Sequence, residues 1–168
     1  YIAIQKESYH SLVRARLTVS IPALCTSKVN GMFGTNYDGA FGEGLVRALA
    51  RSPPQAAALV LRTVCYAWPT SARFQEHPVL PCVFGFAHML DDFRHYLHCP
   101  VLHFEVSRAL AEDNPGLPEL RFGFPPPPQV PRLLRAAILS ETFLHVKSWS
   151  RGVSSTIVPA LILRRVVN

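Results

Sequence analysis

The sequence lacks any uncharged apolar run of the roughly 18 residues that a membrane span requires. Its most apolar stretches, Ala56 to Trp68 and Val153 to Val167, are shorter and carry Arg62 and Arg164/Arg165. No membrane span is therefore expected, which leaves contact with a membrane surface open. Cysteine is also scarce. The four, Cys25, Cys65, Cys82 and Cys99, form no Cys-x-x-Cys pair and no disulfide framework of the secreted kind, so a reducing, intracellular setting is expected. No signal-peptide pattern opens the chain. It begins at Tyr1 without a methionine, as a processed or partial product would.

Catalytic patterns are missing too. Gly39-x-x-Gly42-x-Gly44 lacks the order, the preceding strand and the lysine of a phosphate loop, and reads as a flexible turn. Leu90-Asp91-Asp92 resembles the paired carboxylates of a two-metal polymerase site, but the chain is too short for a palm and offers no third carboxylate on a separate strand. In its helix-like window the pair reads as a solvated first turn whose acids suit the helix dipole. No spacing of cysteine and histidine marks a nucleophile with its base. The chain is not expected to be an enzyme.

What is present is proline and positive charge. Fifteen of 168 residues are proline, well above the usual ~5%. Each fixes φ and removes a donor, so regular elements must be short. With 49% hydrophobic residues the chain can still bury a core. Net charge is +6, unevenly spread: +3 over residues 1–30, +1 over 31–68, −3 over 69–130 and +5 over 131–168. Basic ends around an acidic middle suit nucleic acid, an anionic surface or an acidic partner, and also serve plain solubility.

The fold class expected is mainly α: short helices with long proline-rich irregular connections and one N-terminal strand. The strand is residues 11–21, where apolar and polar residues alternate up to Pro22. With only Ile2 to Ile4 near enough to pair, it is expected to pair with another chain. Residues 22–44, rich in glycine, read as a loop. Helices are expected from about Gly44 to Ala50, from Pro53 to Trp68 with Ser52 as cap, over 89–99, and over 101–111. Residues 1–113 thus form a strand plus a helical domain. Residues 114–131, with Pro125 to Pro128, form a proline-rich linker of polyproline character. Residues 132–168 form a basic helical segment, with one helix closed by Gly152 and a short last one to about Val167.

The sharpest stretch is Cys82 to Cys99. On one continuous helix His95 and Cys99 would stand at i and i+4, as metal ligands do, and Cys82 would come from a preceding turn. His88, His98 or Asp92 would supply the fourth ligand. Sulfur with imidazole selects zinc, and a closed set of four would be structural. The other reading makes the cysteines small buried apolar residues and the histidines ordinary polar groups.

Asn30-Gly31-Met32, the run Trp68 to Phe74, Leu80-Pro81-Cys82-Val83-Phe84-Gly85, and Asp92 with His95-Tyr96-Leu97-His98-Cys99-Pro100 together resemble the C-terminal tail of LINE-type (non-LTR) retrotransposon polyproteins. The likeness spans about residues 30–150 and extends to Phe143-Leu144-His145-Val146-Lys147. Those tails carry a C-x(3)-C…H-x(3)-C knuckle. The resemblance implies ligand positions at Cys82, His95 and Cys99, with Phe86 standing where the second cysteine belongs: a degenerate knuckle. It also implies a role in holding template nucleic acid, without the polymerase motifs.

Two functions follow. One is a non-catalytic nucleic-acid-binding module, contacting phosphates through Arg132, Arg135, Lys147, Arg151, Arg164 and Arg165, with Tyr96, Phe143 and Trp149 near the charges. The alternative is an accessory structural subunit of a large protein assembly, organellar or membrane-associated. No cofactor other than zinc is expected.

Overall fold

The computed structural model describes residues 20–86, 88–112 and 116–150. Helix α1 (Ile21–Phe33) begins where the Ser20 hydroxyl accepts the Ala23 amide at 3.5 Å, with Pro22 in the first turn. It ends at Gly34 in the left-handed region, φ 67°. Helix α2 (Gly39–Ala50) starts where Asp38 accepts from the Phe41 amide at 3.2 Å. The stretch 22–44, expected as a loop, is therefore mostly two helices. Asn30 and Gly42 account for the difference. Asn30 leaves its own backbone helical and uses its side chain on the next connection. It donates to the Tyr37 carbonyl at 2.9 Å and accepts from the Tyr37 amide at 2.8 Å and the Thr35 hydroxyl at 2.9 Å. Gly42 is a contact point rather than a hinge. A Cβ there would lie 2.2 Å from the Pro22 carbonyl oxygen, so its absence lets α1 and α2 pack face to face.

Helix α3 (Pro54–Val64) is shorter than expected, stopping before Trp68. Pro53 is its cap residue, and the Ser52 hydroxyl instead donates back to the Ala48 carbonyl at 2.9 Å. Ala56, Val60, Thr63 and Val64 are buried, and α3 packs along the C-terminal helix. It is amphipathic rather than buried all round: Leu61 is exposed. Trp68 then turns inward. Its indole N–H donates to Thr63 Oγ1 at 3.1 Å, and its ring stacks on Phe143 with centroids 4.8 Å apart.

The expected helix over 89–99 is reduced to α4 (Phe93–Tyr96). Residues before it are extended: Pro81 and Leu90 form an isolated antiparallel bridge, with no strand among the described residues. Pro100 starts a separate helix, α5 (Pro100–Leu110), with Cys99 as its cap residue. The 116–131 segment holds a one-turn helix, α6 (Pro118–Arg121), and lies against the body. Phe122 and Phe124 are buried under Phe33, at 5.7 and 6.0 Å between centroids. Pro126 to Pro128 sit beside Tyr37 and Phe41. Helix α7 (Val130–Ser150) runs 21 residues and buries Leu133, Ala136, Ala137, Leu139 and Phe143.

The chain is mainly helical, as expected. Residues 11–19 of the expected strand, Ile2 to Ile4, and the expected last helix lie outside the described residues. Ser20 and Ile21, assigned to that strand, belong instead to the start of α1, because Pro22 serves as a first-turn residue rather than a strand terminator.

Candidate metal centre

The site is built on a tight hairpin. The Cys82 amide donates to the Met89 carbonyl at 2.8 Å, and the Asp91 amide to the Leu80 carbonyl at 2.8 Å. Gly85, at φ 71°, closes the turn by donating to the Cys82 carbonyl at 3.0 Å. Tyr96 pins this turn from α4. Its hydroxyl oxygen accepts from the Val83 amide at 3.2 Å, and its O–H donates to Asp91 Oδ1 at 2.7 Å.

This arrangement brings Cys82, His95 and Cys99 together. One ligand atom from each lies within 4.8 Å of the others, and the two sulfurs are 4.0 Å apart. Tetrahedral zinc with bonds of about 2.3 Å would separate two sulfurs by about 3.8 Å. The three come from three segments rather than one helix. Cys82 is on the hairpin, His95 on α4, and Cys99 at the cap of α5 beyond a turn at Leu97-His98. The one-helix expectation for His95 and Cys99 fails because Pro100 forces its predecessor out of helical geometry (Cys99 ψ 109°).

The donor set fits a soft divalent ion. His95 Nε2 is buried with no hydrogen-bond partner, which is costly unless something coordinates it. Burial, aided by His98, lowers the His95 pKa against the opposing pull of Asp92 and Asp91, keeping the ring in the neutral form that ligates metal. Burial raises the Cys99 thiol to about 11, helped by the neighbouring Cys82 and opposed by the Leu102 and Val101 amides. An ion would remove that proton, so binding should release protons.

None of the proposed fourth ligands joins the group. His88 is exposed with a left-handed φ of 67°. Asp92 accepts from the Arg94 amide as the cap of α4, and His98 is exposed. Phe86, where the knuckle pattern wants cysteine, stacks on His95 with centroids 5.8 Å apart and planes at 11°. Three protein ligands leave one coordination position for water or another group.

The expected phosphate contacts divide sharply. Arg132 is exposed on the first turn of α7. Arg135 is buried and donates to the Arg121 carbonyl (2.6 Å), Glu112 (2.8 Å) and Ser107 Oγ (2.7 Å). Lys147 is buried and ion-paired with Asp91. Arg151, Arg164 and Arg165 lie outside the described residues.

The Asp91 hub escaped the sequence reading. Asp91 is fully buried rather than solvated, and takes Lys147 Nζ, the Tyr96 hydroxyl and the Ser71 amide on its carboxylate. No local pattern announces this, since its partners lie 5, 20 and 56 residues away.

Comparison of the chain with protein-family models, with curated proteins and with solved structures gives no match. The functional reading therefore rests on the site itself.

Proposed function

We propose that this chain is a non-catalytic nucleic-acid-binding module whose Cys82–His95–Cys99 cluster holds one structural zinc ion. The observation that carries this reading is the grouping of two buried thiols with His95, whose Nε2 has no hydrogen-bond partner, in a chain of net charge +6. Zinc there would tie the 80–91 hairpin to α4 and to the start of α5, and its binding energy would add to folding. The non-catalytic part is supported by Asp91 and Asp92. One is sealed by Lys147 and the other caps a helix, so the two carboxylates do not face a common ion.

Metal analysis of the purified chain, with binding of labelled oligonucleotides across a salt series, tests the proposal. One zinc per chain is expected, lost in Cys82→Ser and Cys99→Ser. Affinity should fall steeply as salt rises. Oligonucleotide binding that is absent or indifferent to salt would overturn the nucleic-acid reading, and a zinc-free protein would overturn the metal reading.

A second reading, an accessory subunit of a large protein assembly, draws on one feature. Leu80, Phe86, Met89 and Leu90 all lie exposed on the same hairpin, a grouping suited to a protein contact. A stable, dispersed monomer on purification would count against it.

A further inference from the structure

The sequence places net negative charge over residues 69–130, yet two of the four arginines of that stretch, Arg73 and Arg94, meet at one cleft. The cleft encloses about 640 Å³, a size typical of small-ligand sites (about 300–1,000 Å³). Three segments build it: the C-terminal half of α1, the chain from Tyr66 to Arg73, and α4 with the residues after it. Arg73, Arg94 and His98 line it and are all exposed. Against them stands one acid, Asp92, already engaged by the Arg94 amide. Neither guanidinium is ion-paired among the described residues. Arg73 is steadied by donating to the Ala67 carbonyl at 3.2 Å and by lying over the Phe74 ring at 5.7 Å.

The wall opposite is aromatic. Tyr66 is held in a left-handed conformation, φ 53°, and its hydroxyl donates to the Lys28 carbonyl at 2.5 Å. Gly31 lies beside the phenol oxygen, where an added Cβ would be in ordinary contact at 3.5 Å. Lys28 Nζ stands 5.2 Å from the centre of the Tyr66 ring. Two guanidiniums and an imidazole beside a fixed phenol ring form the combination that takes a phosphate and the flat face of a base.

We propose that this cleft seats a nucleotide of a single-stranded polynucleotide, with phosphates at Arg73 and Arg94 and a base at the Tyr66 wall. The proposal rests on the nucleic-acid reading above and assigns it a surface. A concave site of this size selects an unpaired strand, because a duplex keeps its base faces stacked and presents only base edges and backbone. Single-stranded RNA and DNA share this chemistry.

The experiment compares the full chain with Arg73→Ala/Arg94→Ala, and with Arg47→Ala, an exposed residue away from the cleft, as a control, by fluorescence anisotropy on labelled oligouridylate, oligothymidylate and a short duplex. Both cleft arginines are exposed, and a thermal melt checks that the double variant keeps its fold. Loss of at least tenfold in single-strand affinity is expected in the double variant, with little change in the control. Two lost phosphate contacts should also flatten the log–log salt slope by about 1.4. If the wild type binds single strands and the double variant matches it in affinity and slope, the cleft is not the seat, while the broader reading stands. If the duplex binds as well as the single strands, single-strand selection is overturned. If nothing binds, both readings fall together.

Discussion

Asp91 and Lys147, 56 residues apart in sequence, form a buried ion pair that fastens the 80–91 hairpin to the last helix. The carboxylate is fully buried and the lysine nearly so. Removing one partner leaves the other charged without water. Lys147→Ala should therefore cost about 3–5 kcal/mol of stability. Asp91→Asn with Lys147→Met should recover much of that loss, because no lone charge remains. Urea unfolding of the three proteins decides it, and equal losses in single and double variants would refute the pairing argument.

His103 sets an acid limit. It is buried on α5, with Nε2 near the Tyr96 and Leu97 carbonyls at 3.2 and 3.1 Å. Burial holds its pKa down to about 4, against an ordinary 6.5. On acidification the unfolded chain therefore takes the proton first. The stabilisation is complete above pH 6.5 and is lost as pH falls towards 4, by about 3 kcal/mol in all. His103→Gln, which keeps a donor for the carbonyls, should flatten this slope in the zinc-free protein. Unfolding midpoints at pH 7 and pH 5 measure it.

Phe86 offers a gain-of-function test. It lies over the His95 ring at the position where the knuckle pattern wants sulfur. Phe86→Cys should complete a four-ligand set and tighten zinc binding at least tenfold, read by competition with a chelator. Unchanged affinity would mean that the turn from Cys82 to Phe86 cannot deliver a ligand.

Two glycines should resist even a methyl group. Gly42→Ala would push its Cβ to 2.2 Å from the Pro22 carbonyl, parting α1 from α2, at about 1–3 kcal/mol. Gly123→Ala faces the Arg132 carbonyl at 1.9 Å and also a left-handed φ of 71°, which adds about 1–2 kcal/mol. Gly39→Ala, with open space around it, should be nearly neutral. Thermal melts of the three variants rank them.

Much of this was legible locally. The helical class followed from the local pattern, and the trio Cys82, His95 and Cys99 was picked out by residue type, although the single helix expected to carry His95 and Cys99 is two. What was hidden depends on distant partners. Asn30 looks like a turn former until Tyr37 and Thr35 take up its amide. Gly42 looks flexible until Pro22 is seen against it. Arg135 and Lys147 look like surface cations because a sequence does not say which bases meet Glu112 and Asp91. Arg73 and Arg94 look like unrelated surface charges until the fold brings them to one cleft.

The Asp91–Lys147 pair also bears on how the protein is made. At about 5–20 residues per second, a ribosome needs roughly 3–11 s to travel from Asp91 to Lys147. Over that interval the hairpin has emerged without its counter-charge, and Trp68 without Phe143. The nascent chain must then wait with its aromatic interior unsealed, which makes it a natural client for chaperones and predicts that truncation before α7 yields an aggregating product rather than a smaller folded one.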